Sequence, residues 1–113
     1  MMDNPKVYVV QVTFPSLEDA QSVSSALLNR HWVACAQHCS NVQSMFFWKN
    51  QVEKELECVV TYKTTESFLP RLMTYVEAHH PYDTPECLYW PVTGGNTEYL
   101  DWVIASTEGL VGS

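Results

Sequence analysis

Two runs of strand-like residues on either side of a short polar break constrain this chain more than anything else in it. Val42 to Trp48 reads as extended. Further on, Glu53, Glu55 and Glu57 alternate with Leu56, Cys58 and Val60, the pattern of a strand with one wet face at its start. Lys49-Asn50-Gln51 lies between them as a polar turn, so the two runs form a long hairpin. A second extended stretch, Trp32 to Ala36, leads into it, with a bend expected around Cys39-Ser40-Asn41. Strands of this length exceed what a lone sandwich of 113 residues needs. Their outer part must find cover elsewhere.

The remaining elements follow from the same rules. Val7 to Phe14 is β-branched and aromatic and is stopped by Pro15, a first strand. Ser16 with Asp19 three residues on makes a capping pattern, and Ala20, Val23 and Leu27 mark one apolar helical face ending near Asn29-Arg30. Beyond Lys63 the period changes. Leu69, Leu72, Met73 and Val76 lie on one face of a second helix, with Pro70 tolerated in its first turn. Pro81 ends that helix, because the residue before proline is pushed toward extended geometry. Cys87 to Val92 reads as a fourth strand closed by Gly94-Gly95, and a short helix beginning at Asn96 or Thr97 closes the pattern.

The order predicts an α+β, ferredoxin-like β-α-β-β-α-β fold: an antiparallel sheet, two helices on one face, and a C-terminal helix. We expect one domain over residues 1–113, with a core of about 6–108. Such a sheet leaves its other face bare. Together with the long hairpin, this favours burial against further copies in a closed symmetric assembly.

Composition removes several function classes. Six Lys and Arg against thirteen Asp and Glu give a net charge of −7, which repels polyphosphate, so no nucleic-acid partner is expected. No run of eighteen apolar residues exists, so no membrane span is expected. The N-terminus lacks the pattern of a secretion signal, and a cytoplasmic protein is the expectation. Cys35, Cys39, Cys58 and Cys87 are then reduced thiols. At 46% hydrophobic residues the chain can build a core without disulfides or metal, so a metal has to be argued from its ligands.

Few residues invite chemistry. His79 and His80 are neighbours and point about 100° apart on a helix, although the break at Pro81 can bring both imidazoles toward one rim. Imidazole suits copper, nickel and zinc, while a helix C-terminus also favours histidine on electrostatic grounds alone. Cys35 and Cys39 sit in strand context, and a structural zinc site needs another such pair. Cys58 and Cys87 look like small core residues. A thiol enzyme would need a cysteine, a histidine base such as His80 near Cys35, and an orienting group. No nucleophile turn, phosphate loop or dinucleotide fingerprint marks one, so no catalytic residue is expected.

Several segments, taken in order, resemble the CutA family of divalent-ion tolerance proteins. They are Thr13, Ala34-Cys35, Phe47-Trp48-Lys49, Lys63-Thr64-Thr65, His80 through Glu86, Pro91-Val92, and Asn96 through Trp102. The correspondence runs from about Val7 to Thr107. The resemblance implies a homotrimer of ferredoxin-like protomers and a role in divalent-metal, particularly copper, tolerance. It implies metal ligands at His79, His80 and Cys35, with no cofactor required beyond a possible copper ion. The first-strand cysteine of some bacterial members falls where this chain has Val12. The resemblance also implies an intersubunit pocket near Lys63, Tyr82 and Glu86. That pocket opens an alternative, a trimeric signalling or scaffold protein that takes a small metabolite.

Overall fold

The computed structural model describes residues 6–108. Strand β1 (Val7–Phe14) is followed by helix α1 (Leu17–Asn29), the hairpin strands β2 (Cys35–Trp48) and β3 (Gln51–Thr65), and helix α2 (Leu69–His79). Strand β4 (Cys87–Pro91) and helix α3 (Thr97–Thr107) complete the described residues. All pairings are antiparallel and the sheet order is β2-β3-β1-β4, the expected α+β pattern.

Local chemistry accounts for the boundaries. The Ser16 side chain accepts from the Asp19 amide at 3.1 Å, and its hydroxyl donates to the Asp19 carboxylate at 2.9 Å. This caps α1, an interaction worth about 1 kcal/mol. Pro70 lies in the first turn of α2, where its missing N–H costs nothing. His80, ahead of Pro81, is extended at φ −88° and ψ 140° and stops the helix.

Two details differ from the sequence reading. Trp32 to Ala36 and Val42 to Trp48 are not two extended pieces. One strand starts at Cys35, because His31 turns the chain at φ 59°, and the expected bend at Ser40 and Asn41 is a bulge inside it. The bulge places Asn41 at φ 60°, a left-handed conformation that asparagine tolerates. The hairpin turn is two residues rather than three: Trp48 pairs with Gln51, and Lys49 and Asn50 both have positive φ, as tight hairpins require.

The sheet has two unlike faces. On one, Val10, Val12, Phe14, Val60 and Tyr62 are buried beneath α1 and α2, which contribute Ala20, Val23, Leu27, Leu72 and Val76. Each large aliphatic side chain buried there contributes about 1.5–3 kcal/mol of transfer free energy. On the other, α3 covers the end of the sheet near Val7 and Thr65, where Thr107 lies 3.5 Å from Thr65, and its Tyr99 reaches Cys35. Cross-strand partners share a face, so Cys35, Lys63, Val9 and Trp90 form one row of this second face. Gln37, Thr61, Gln11 and Leu88 form the next row.

The hairpin outruns the body. From Val42 round to Glu57 no residue is buried, and Phe47, Trp48 and Leu56 are 77%, 60% and 62% exposed. Both faces of the tip are therefore uncovered, and the molecule extends 53 Å along one axis against 27 and 22 Å along the others.

One polar network crosses the core. The Ser24 hydroxyl lies 2.8 Å from both the Tyr62 hydroxyl and Nε2 of His38, tying α1 to β3 and β2. Tyr62 is fully buried, and burial pushes its phenol up to about 12, with the Ser24 contact pulling the other way. In the unfolded chain a tyrosine ionises near pH 10. Between pH 10 and about 12 the native state keeps a proton that the unfolded state loses, so stability is complete below pH 10 and falls above it. The expected slope from Tyr62 is about 1.4 kcal/mol per pH unit. Urea titrations from pH 9 to 11 should show a shallower decline for Tyr62→Phe than for the wild type; parallel declines would contradict this account.

Candidate functional site

The corner after α2 is built on His80. Its extended backbone sends the side chain back toward β1, where Nε2–H donates to the Thr13 carbonyl at 2.7 Å. The Tyr82 amide donates to Nδ1 at 3.0 Å. A carbonyl can only accept and an amide can only donate, so the ring is the neutral tautomer with its proton on Nε2. It stacks on Phe14, with centroids 4.7 Å apart and planes 16° apart. Both nitrogens are engaged, and a metal reaching either must break one of these bonds.

His79 takes a different course. Its Nδ1–H donates to the Tyr75 carbonyl one turn back at 2.9 Å, and its ring stacks on Tyr75 at 3.9 Å. Nε2 of His79 has no hydrogen-bond partner among the described residues, and the side chain is exposed. The adjacent imidazoles thus settle on Tyr75 and Phe14 instead of converging.

Cys35 is elsewhere. It opens β2 opposite Lys63, on the sheet face turned away from α2, with Sγ 3.5 Å from the Tyr99 hydroxyl. Contact with this sulfur and partial burial push the Tyr99 phenol up to about 12. Cys35 therefore meets neither His80 nor His79. Among the described residues no group of three or more His, Cys, Asp or Glu is arranged to hold a metal ion. The donor set of one chain does not by itself make a metal site.

The three residues expected at a pocket divide in two. Lys63 and Glu86 both belong to the half-open sheet face, each paired with a glutamine and not with the other. The Lys63 ammonium donates to Oε1 of Gln37 at 2.6 Å, and Gln11 donates to the Glu86 carboxylate at 2.9 Å. Tyr82 instead donates its hydroxyl to Glu57 at 2.8 Å, toward the hairpin. Partial burial, the accepting Glu57 and the nearby charges of Glu55 and Asp19 push this phenol up to about 12. Tyr82 thus locks the His80 corner to the root of the hairpin.

The other thiols sit in structural surroundings. Cys58 is buried. Cys87 points its sulfur at Sδ of Met73, 3.3 Å away, and burial with Glu77 and Glu86 pushes its thiol up to about 11. The link from His38 to Ser24 was not anticipated. The one signal for it was alternation: His38 falls two residues after Ala36, on the helix-facing side of β2.

This architecture defines a class: a ferredoxin-like α+β protein with an overlong hairpin and a half-covered sheet. Residues 8–106 match the family model of the CutA1 divalent ion tolerance protein. The divalent-cation tolerance protein CutA of Citrobacter koseri is 38% identical over 102 residues, 90% of this chain and 89% of that protein. Crystal structures agree. CutA1 from Ehrlichia chaffeensis superposes with a TM-score of 0.88 at 30% identity, covering 93% of this chain and 98% of that one. CutA1 from Oryza sativa gives 0.87 at 32%, covering 90% and 94%. The chain belongs to the CutA1 divalent ion tolerance family.

The unequal roles of the two histidines are measurable. His80→Ala removes two hydrogen bonds and a ring stack and should cost about 2–3 kcal/mol in urea unfolding. His79→Ala, on the surface, should cost under about 1 kcal/mol. Equal losses would mean that the corner does not depend on His80.

Proposed function

We propose that this protein serves the response to divalent cations as a homotrimer, its uncovered sheet face and hairpin packed against two further copies. The observation that carries the assembly is the apolar surface left on the hairpin. Phe47, Trp48, Val52 and Leu56, together with Leu88 and Trp90 of β4, stand exposed on one chain. Phe47, Val52 and Leu56 share the helix-side face of the hairpin, while Leu88 and Trp90 lie on the open sheet face, and exposed apolar surface of this extent marks an interface. Family membership supports the role in metal tolerance.

Copper is the proposed ion, held weakly through Nε2 of His79. His80 joins only by giving up a hydrogen bond, and any contribution from Cys35 comes from a neighbouring copy. The reduced thiols suit a reducing compartment, and we propose the cytoplasm; a structural neighbour from Archaeoglobus fulgidus is described as periplasmic. No helix among the described residues is long and apolar enough to cross a membrane.

A second reading rests on Lys63. It is an ammonium on a face that assembly would bury, bound to Gln37, with the Gln11–Glu86 pair farther along the same face. Such a group between copies suits a small anionic metabolite, with signalling or scaffolding as the outcome.

Light scattering should give about 39 kDa, three times the 12.9 kDa chain, and the pair Phe47→Asp and Leu56→Asp should release monomers. A wild-type monomer at micromolar concentration would overturn the assembly. In copper calorimetry His79→Ala should lose most of the binding heat; unchanged heat would remove the histidine site. A thermal-shift screen of carboxylates and nucleotides that finds no stabilisation lost in Lys63→Ala would remove the second reading.

A further inference from the structure

A groove of about 470 Å³ runs along the outer surface of α2, in the helical layer, away from the half-open sheet face. Two helical ridges build it. Pro70 and Ala78 lie on one, and Arg71, Tyr75 and His79, each four residues apart, lie on the other. Trp32, from the loop between α1 and β2, closes the side and meets Tyr75 edge-on at 6.2 Å and 83°.

Charge is unevenly placed here. The chain has two arginines against thirteen acids, and both arginines are at this groove. Arg71 lines it, while the Arg30 guanidinium lies 5.6 Å from the Trp32 ring and 4.9 Å from the Tyr75 ring. No Asp or Glu is among the lining residues. The one acid of α2, Glu77, is exposed beside the Pro70–Ala78 ridge but is not among the lining residues. A protein of net charge −7 thus presents an apolar, aromatic trough flanked by cations.

We infer that this groove docks an acidic peptide segment of a partner protein, with an apolar side chain seated between Trp32 and Ala78 and carboxylates facing Arg30 and Arg71. Arginine and aromatic residues supply most of the energy at such contacts. The groove walls are largely exposed side chains, and an open trough leaves a small ligand mostly in water, whereas small-molecule sites bury most of theirs. An extended segment gains contact along the whole length of the helix. The inference does not depend on the proposed assembly or on metal.

A display library of random twelve-residue peptides, selected against the intact protein, tests it. Selected peptides should be acidic with a central aromatic or aliphatic residue. Their affinity should fall roughly tenfold or more in Arg71→Glu and in Ala78→Glu, both surface changes. It should also fall as ionic strength rises from about 0.1 M to about 1 M, where screening shortens from about 10 Å to about 3 Å. Basic peptides, binding indifferent to both variants, or no enrichment at all would overturn the proposal. So would 1-naphthoate displacing the peptide at low concentration, which would make the groove a small-anion site, or loss of trimer mass in Ala78→Glu, which would make it a contact between copies.

Discussion

A hairpin of fourteen and fifteen residues laid on a body that covers only half of it is the constraint from which the rest follows. The inner half of β3 alternates buried and half-buried positions from Cys58 to Thr65 because α1 and α2 lie over it. The outer half has nothing above or below. Its aromatic side chains cost free energy in water, and no rearrangement of one chain can hide them, because the two-residue turn and the twelve cross-strand pairs fix the hairpin's register. The same logic extends to the sheet, where α3 shelters Val7 and Thr65 while Val9, Gln11, Lys63 and Trp90 remain on the open side. The proposed assembly would resolve both deficits at once.

The corner after α2 acts as the fastening between this hairpin and the body. Pro81 forces His80 out of the helix, Thr13 and the Tyr82 amide take its two nitrogens, and Tyr82 reaches Glu57 at the root of the hairpin. A histidine held in this way is a poor place to look for a free lone pair. Its neighbour His79 retains one. Two residues that look alike in sequence therefore differ in what they can do, and the difference comes from one proline.

Much of the fold was legible because its signals are local. Pro15, the Ser16 cap, the spacing of Leu69, Leu72 and Val76, and Pro81 each act within a turn or two, and the observed elements start and stop where these residues say. The continuity of β2 was less legible, since a bulge at Ser40 and Asn41 looks the same in sequence as a break between strands. Its absorption into one strand depends on the partner residues of β3. The site was legible in part: the His-His-Pro-Tyr segment pointed to the corner, but not to which ring nitrogen meets which carbonyl. Lys63 is far in sequence from Tyr82 and Glu86, which are four residues apart, and only the three-dimensional placement showed that Lys63 and Glu86 share a face while Tyr82 turns to Glu57. The contact of Ser24 with His38 and the groove at Trp32 arise from packing between elements, of which local pattern gives only the alternation that turns His38 toward the helices.

The central claim is that the exposed hairpin face is covered by other copies of the same chain. A photo-crosslinking amino acid in place of Phe47, 77% exposed on the single chain, tests this most directly. The account predicts crosslinked dimers and trimers on a denaturing gel, formed in dilute solution and attached to residues of another copy. Exclusive attachment to the same chain or to water, with monomer as the single product, would contradict it.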